Sequence, residues 1–421
     1  MLYWLGVAGF ALTILISVSL HEAGHMITAK RFGMKVTRYF VGFGPTVFSW
    51  RRGETEYGFK AIPLGGFCKI VGMTPQDDDV APEDQPRAMW RFPVWKRTIV
   101  MSAGSITHFL LALAAAWVVA FTIGLPNTSY PVTTDAQLAQ KPYIEISDCA
   151  WINIPADGHS CTPGEAGSVP GPAYAAGLRN GDLITKVGGT AVGTYGQLTD
   201  AIRAQKAGQV TFEFVRDGVT KTIPVTLVAA QRKPVTDDNG PVSTVAVAGL
   251  GWDRESVPGT IKYNPASAVG GTLNYGWYIV ENTFRSLGHI PGKVPALWHS
   301  LTGSERDPNT PISVVGASRL GGEAIEHGVP QLFLSIFITL NIFIGIFNLL
   351  PLLPLDGGHI AIAWFERVRS WLYGRLGKPD PGRVDYYKLM PITYAVILIG
   401  GAFTLLTVTA DIVNPIQIFS R

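Results

Sequence analysis

Hydrophobic positions along this chain follow two regimes. Four long stretches carry almost no charge: residues 1–20, 98–134, 328–365 with Asp356 as their one carboxylate, and 389–410. Each is close to or above the ~20 residues needed to cross hydrocarbon. Four transmembrane helices are therefore expected, at 1–29, 98–125, 329–360 and 389–413. Between the first two, residues 37–50 alternate with many aromatics, Arg52-Gly53-Glu54 makes a turn and 57–62 returns, which predicts a β-hairpin inside 30–97. Residues Pro63-Leu64-Gly65-Gly66-Phe67 suit no packed strand interior. Non-helical backbone beside a span is tolerated at membrane depth only where protein or a water cavity covers it. Residues 73–91 are acidic and bear prolines, as in a surface loop.

A second regime occupies 126–254. A short helix start at 173–178, a turn at Gly181-Asp182, a strand at 183–187 and a helix at 197–205 precede two alternating strands, 210–216 and 220–228. Asp217-Gly218 is the hairpin turn between those strands. A small inserted α+β domain at about 145–230 is expected. Within the connecting segment 255–328, residues 265–301 are rich in aromatics with few charges. They read equally as a helix in the outer headgroup layer or as a packing helix. Residues 361–388 are expected to be a loop, and 414–421 a tail.

Composition narrows the class. Of 421 residues, 47% are hydrophobic and 15% charged, against roughly 25% charged in soluble domains. A wholly soluble enzyme, a disordered chain and a disulfide-rich mini-protein are excluded. A net charge of +3 gives no reason to expect nucleic acid as a partner. The first apolar stretch has no basic leader and no small-residue cleavage site, so a retained span is expected rather than a signal peptide. Lys and Arg crowd 30–97 and 361–388, which the positive-inside rule assigns to the cytoplasm. Both termini and the inserted domain then lie outside. Cys149 and Cys161 fall on that oxidising side, where a disulfide is expected; Cys68 does not.

His21-Glu22-Ala23-Gly24-His25 carries the sharpest chemistry. On a helix, positions i and i+4 share a face, so both imidazoles can address one zinc ion, and the intervening Glu22 can act as general base on a water. Polar groups at the end of a span are expensive and default to a functional reading. A third ligand is needed. Asp356 is the choice, with His359 as its rival, in the run Asn348-Leu-Leu-Pro351-Leu-Leu-Pro354-Leu-Asp356-Gly357-Gly358-His359. Its prolines and glycines predict locally unwound backbone beside a cavity. His108 is expected to be a packed residue hydrogen-bonded to a neighbour.

These residues together resemble the site-2 protease family, zinc metalloproteases that cut substrates within the membrane. Residues 172–189, with Gly177, Gly181-Asp182 and Gly188-Gly189, are similar to a PDZ domain. The order span, hairpin, span, PDZ, span, span looks like the bacterial branch that releases sigma factors from anti-sigma proteins. The single PDZ-like part and the cysteine pair look like its actinobacterial and mycobacterial members. Val41-Gly42-Phe43-Gly44-Pro45 and Pro311-Ile312-Ser313-Val314-Val315-Gly316 match further family segments.

The resemblance implies a polytopic α-helical membrane protein with a membrane-associated hairpin and one extracytoplasmic PDZ-like domain, in a bacterial plasma membrane. It implies one zinc per chain on His21, His25 and Asp356, with Glu22 as catalytic base. Asn348 would hold the substrate or oxyanion, and Gly65 and Gly66 would belong to a hairpin that pairs with extended substrate. Substrates would be single-span proteins such as anti-sigma factors, pre-cut by another protease. Two departures stand out. Pro354 lies two residues before the aspartate where the family usually has three, and Ala103-Gly104-Ser105-Ile106-Thr107-His108 replaces an Ala-Gly-Pro-x-x-Asn pattern. The PDZ-like part reads equally as a binder of peptide termini or a size filter. From other classes, a metal transporter and a catalytically inactive PDZ scaffold are the alternatives.

Overall fold

The computed structural model describes residues 1–73, 80–131, 133–155, 159–236, 240–303 and 306–419. In chain order it contains helix α1 (Leu2–Arg31), strands β1 (Val36–Arg52) and β2 (Thr55–Ile70), and α2 (Val94–Thr122). Three short helices follow, α3 (Thr134–Leu138), α4 (Pro172–Ala176) and α5 (Tyr195–Arg203). The chain then runs through α6 (Ala268–Leu301), α7 (Val314–Glu326), α8 (Pro330–Asn348), α9 (Asp356–Arg375) and α10 (Met390–Val413). Two compact units result, one of residues 1–125 with 262–421 and one of 126–261.

Four helices of the first unit are long and apolar enough to cross a membrane: α1, α2, α8, and α10 with the single turn before it. The protein is a polytopic membrane protein. Helix α1 buries Gly6, Phe10, Ser17, His21, His25 and Ala29, one stripe at helical spacing. Its N-terminal half packs on α7, where Gly6 and Gly322 meet so closely that a Cβ on Gly6 would lie 2.8 Å from the Gly322 Cα. Small residues let membrane helices approach in this way. Its C-terminal half packs on α2, where a Cβ on Gly24 would lie 2.7 Å from the Ala103 carbonyl oxygen. Glycine at 345 likewise admits the Phe109 ring between α8 and α2.

The hairpin is longer and more folded than expected. β1 and β2 pair antiparallel with repeated register shifts, and residues 38–41 of β1 have neighbours from β2 on both sides: 66–69 and 56–59. Residues 63–67 do not interrupt it, because β2 continues through them to Ile70. Gly65 makes this possible by adopting φ +113°, a conformation open to glycine at little cost. Of the expected surface loop at 73–91, residues 74–79 lie outside the described residues, as do 420 and 421 of the tail. The rest of that loop holds two 3-10 turns, at Pro82–Arg87 and Met89–Arg91.

Two expectations in the second half change, and a third resolves between its alternatives. The span at 329–360 is not one helix: α8 ends at Asn348, and a new helix starts at Asp356. The expected loop at 361–388 is helical through Arg375. Of the two readings of 265–301 the packing helix holds, since α6 buries Tyr275 and Ile279 against α2 and α8, and α7 adds a second helix to the connecting segment. In each case tertiary packing supplies what the local sequence leaves open.

In the second unit, a sheet orders its strands as Ser243–Val247, Val219–Arg232, Gly208–Arg216, Asp182–Val187, Tyr143–Ile146 and Leu250–Trp252. Its core gathers Ile144, Leu178, Ile184, Leu198, Phe212, Phe214, Val225 and Leu227. Strands on both sides of 145–230 therefore belong to it. Asp182, almost wholly buried, takes a bidentate grip from Arg216 at 2.7 and 2.6 Å, the strong geometry for such a pair. Cys149 and Cys161 form a disulfide beside a small strand pair, Cys149–Trp151 with Ser168–Pro170.

Candidate metal centre

His21 and His25 lie one turn apart on the buried face of α1, with their Nε2 atoms 3.1 Å apart. Asp356 is the first residue of α9. The break at 349–355 delivers it: Gly357 and Gly358 abut the backbone of Leu349, Leu350, Leu352 and Leu353, leaving no room for a Cβ at either position. A tight return of the chain therefore needs both glycines. The Asp356 Oδ2 then lies 3.4 Å from His21 Nε2 and 3.3 Å from His25 Nε2.

Three acceptor-capable atoms converge on one point. Oδ2 of Asp356 is buried and has no hydrogen-bond partner among the described residues, an arrangement that costs free energy unless something else satisfies it. Ligands at about 2.0–2.1 Å from a tetrahedral ion sit roughly 3.3–3.4 Å apart. The observed separations of 3.1, 3.4 and 3.3 Å fit that edge length. The set of two imidazoles and one carboxylate also leaves a fourth position open, as catalytic zinc sites do.

Surrounding groups orient these ligands. His25 Nδ1 lies 2.7 Å from the Val100 carbonyl oxygen; donation there leaves the Nε2 lone pair free toward Asp356. The His21 ring lies flat on α2 at Gly104, where a Cβ would come within 2.5–2.6 Å of the ring. Glu22 sits beside the ligands rather than among them. A Cβ on Gly66 would lie 3.5 Å from the Glu22 Cγ. The hairpin thus passes directly alongside Glu22.

Of the residues singled out in the sequence, His21, His25 and Asp356 come together, with Glu22 and Gly66 adjacent. Gly65 packs on Phe43, which lies 2.9 Å from where its Cβ would be. Asn348 ends α8, half-buried, with no side-chain hydrogen bond among the described residues. The rival ligand His359 turns away and stacks on Tyr386 at 5.9 Å. His108 is packed, its Nδ1 2.8 Å from Asn341 Oδ1, and Ser17 joins both across α1, α2 and α8. Gly104, Val100 and Asn341 were not singled out. Asn341, a polar residue inside an apolar helix, carried a readable signal; a backbone carbonyl carries none.

Comparison with known proteins shows the family. The sequence profile of peptidase family M50 matches residues 9–376. A protein named zinc metalloprotease Rip1 from Mycolicibacterium smegmatis is 42% identical over 428 residues, covering all of both chains. Its namesake from Mycobacterium tuberculosis is 42% identical over 421 residues, again covering both completely. A putative zinc metalloprotease from Vibrio cholerae is 29% identical over 437 residues, spanning 89% of this chain and 92% of that protein. A two-histidine, one-carboxylate centre buried among membrane helices and a profile match across most of the chain lead to one assignment: the chain belongs to peptidase family M50, the site-2 proteases.

Proposed function

We propose that the protein is an intramembrane zinc metalloprotease that hydrolyses a peptide bond in or near the transmembrane segment of single-span substrates, such as anti-sigma factors already trimmed by another protease. The observation that carries this reading is the convergence of His21, His25 and Asp356 with Glu22 held against the hairpin. One zinc on those three ligands would supply a Lewis acid that lowers the pKa of water and polarises a carbonyl.

The chain's own residues do the rest. Glu22 accepts a proton from the attacking water on its carboxylate and returns it to the leaving amine. The close backbone at Gly66 borders that carboxylate. Substrate helix must first unwind, because a helical amide keeps its carbonyl in the hydrogen-bond ladder. The segment around Gly65 and Gly66 receives the unwound strand by main-chain pairing, and Asn348 donates to the reacting carbonyl oxygen as charge develops there.

The second unit is a PDZ-like domain that either captures substrate termini or limits substrate size. The distribution of Lys and Arg supports a plasma-membrane topology with this domain and both termini outside and the metal centre near the cytoplasmic side. The test uses the full chain in proteoliposomes with a single-span anti-sigma protein. Glu22→Gln should abolish cleavage while one zinc per chain is retained; continued cleavage with zinc bound overturns the reading.

A further inference from the structure

Helix α9 does more than deliver Asp356. Its residues Trp364, Phe365, Val368, Trp371 and Leu372, with Leu376 just past its end, are each 46–59% exposed. Their spacing of i, i+1, i+4, i+7, i+8 and i+12 places them on one stripe of the helix. The opposite face is the one that packs: Ala363 and Glu366 are buried, and Glu366 holds Arg97 at 3.5 Å and the Val384 N–H at 2.9 Å. No described protein segment covers the aromatic stripe.

Cations border it. At 100° per residue, Arg367 and Arg369 fall roughly 90–110° to either side of the stripe's centre, and Arg375 and Lys378 stand at its end. The Arg369 guanidinium lies over Phe365 at 5.4 Å and that of Arg375 over Trp371 at 4.6 Å. Aromatic rings with flanking Arg and Lys are the composition of a helix lying in the headgroup layer.

Depth agrees. Helix α8, 19 residues long, rises about 28 Å, close to the ~30 Å hydrocarbon thickness. The crossing is therefore complete before α9 begins. At the same end of the bundle, Lys96 sits among the rings of Phe32, Trp95 and Phe92 at 5.4, 5.5 and 5.7 Å, the aromatic and basic pairing of a membrane boundary. Trp364 donates to Thr98 Oγ1 at 3.0 Å, within one turn of that cluster. A helix standing upright from there would hold five large apolar side chains in water.

We infer that α9 lies in the plane of the membrane in the leaflet nearest Asp356, with its aromatic stripe among acyl chains and its arginines on anionic lipid headgroups. The ligand Asp356 is thereby tied to the bilayer surface through the helix it begins.

The test needs neither metal nor proteolysis, so it stands apart from the proposed activity. The full chain carrying Cys68→Ser is spin-labelled at Val368→Cys, Leu372→Cys or, on the opposite face, Ser370→Cys, in vesicles of phosphatidylcholine with or without 30% phosphatidylglycerol as probe. Oxygen accessibility relative to a water-soluble nickel complex should be several-fold higher at 368 and 372 than at 370. It should fall when phosphatidylglycerol is omitted or when Arg367→Gln and Arg375→Gln are introduced. Readings at 368 and 372 typical of water, or shielding from both reagents as by a protein, overturn the bilayer placement. Identical readings with and without phosphatidylglycerol overturn the anionic-headgroup contact. An unchanged reading at 370 shows that the variants keep the fold.

Discussion

The imidazole of His21 rests on the bare backbone of Gly104: a Cβ there would lie 2.5 Å from His21 Cε1 and 2.6 Å from both ring nitrogens. Any side chain at 104 must push the ring away from His25 and Asp356. Gly104→Ala should therefore weaken zinc binding by 10–100-fold, the range for groups that orient a metal ligand. Competition against a chromogenic chelator on the purified full chain measures it; wild-type affinity would show that the ring relocates freely.

Gly66 brings the hairpin backbone against the base. Its Cβ would lie 2.9 Å from the Phe40 carbonyl oxygen and 3.5 Å from Glu22 Cγ. Gly66→Ala should lower kcat by roughly ten- to a hundredfold, a shift of about 1.4–2.7 kcal/mol in the barrier, with zinc content unchanged. Loss of zinc instead would mean that the strand supports the ligands and not only Glu22.

Metal removal should be visible in stability as well as activity. Because the ligands come from α1 and α9, a bound ion ties those helices together. Zinc at a hundred times its Kd should stabilise the folded chain by about 2.7 kcal/mol over the chelated form. Thermal unfolding in detergent, with and without chelator, reads this directly; coincident curves would mean that no ion binds the folded chain in preference to the unfolded one.

A buried ion pair far along the chain from the centre clamps α10 to the start of α7. Arg306 and Asp411, only 2% and 1% exposed at the side chain, meet at 2.9 Å. Asp411 Oδ2 also accepts the Ser313 N–H at 2.6 Å. Asp411→Ala leaves a buried guanidinium unpaired and should destabilise the chain by about 3–5 kcal/mol. Arg306→Met with Asp411→Leu should recover most of that loss. Equal losses in single and double variants, measured by denaturant titration, would show the pair to be uncoupled.

In the second unit, the disulfide joins Cys149 and Cys161 across a sequence separation of 12. Replacing both by serine should cost about 3 kcal/mol in the chain-entropy picture. Urea-dependent proteolysis within 126–261 of the full chain measures it. No change in midpoint would mean that the packing around Trp151 suffices alone.

Much of this protein was legible from local pattern. Uncharged runs near twenty residues long leave few options, because hydrocarbon admits a chain only with its backbone bonds satisfied internally. His21 and His25 declared a shared helical face by spacing alone, and Asp356 stood out as the one carboxylate in an apolar run. The hairpin turn at Asp217-Gly218, with φ of 55° and 74°, was equally local chemistry.

The rest depended on contacts distant in sequence. Nothing in 311–326 announces a helix that packs on α1, because its glycines acquire meaning only when Tyr3, Val7 and Phe10 fill the space they leave. Glycine at 104 is unremarkable until the His21 ring lies on it, and β2 runs through Gly65 and Gly66 only because β1 and Glu22 border it. α9 reads as a loop from its charges, yet its packing on α2 makes it a helix with a stripe left over for something else to cover. Membrane class and the identity of the reactive groups follow from composition and short spacing. The approach of Asp356 to within 3.3–3.4 Å of both imidazoles came from tertiary structure, because it joins residue 356 to the α1 pair through helix packing that no local pattern encodes.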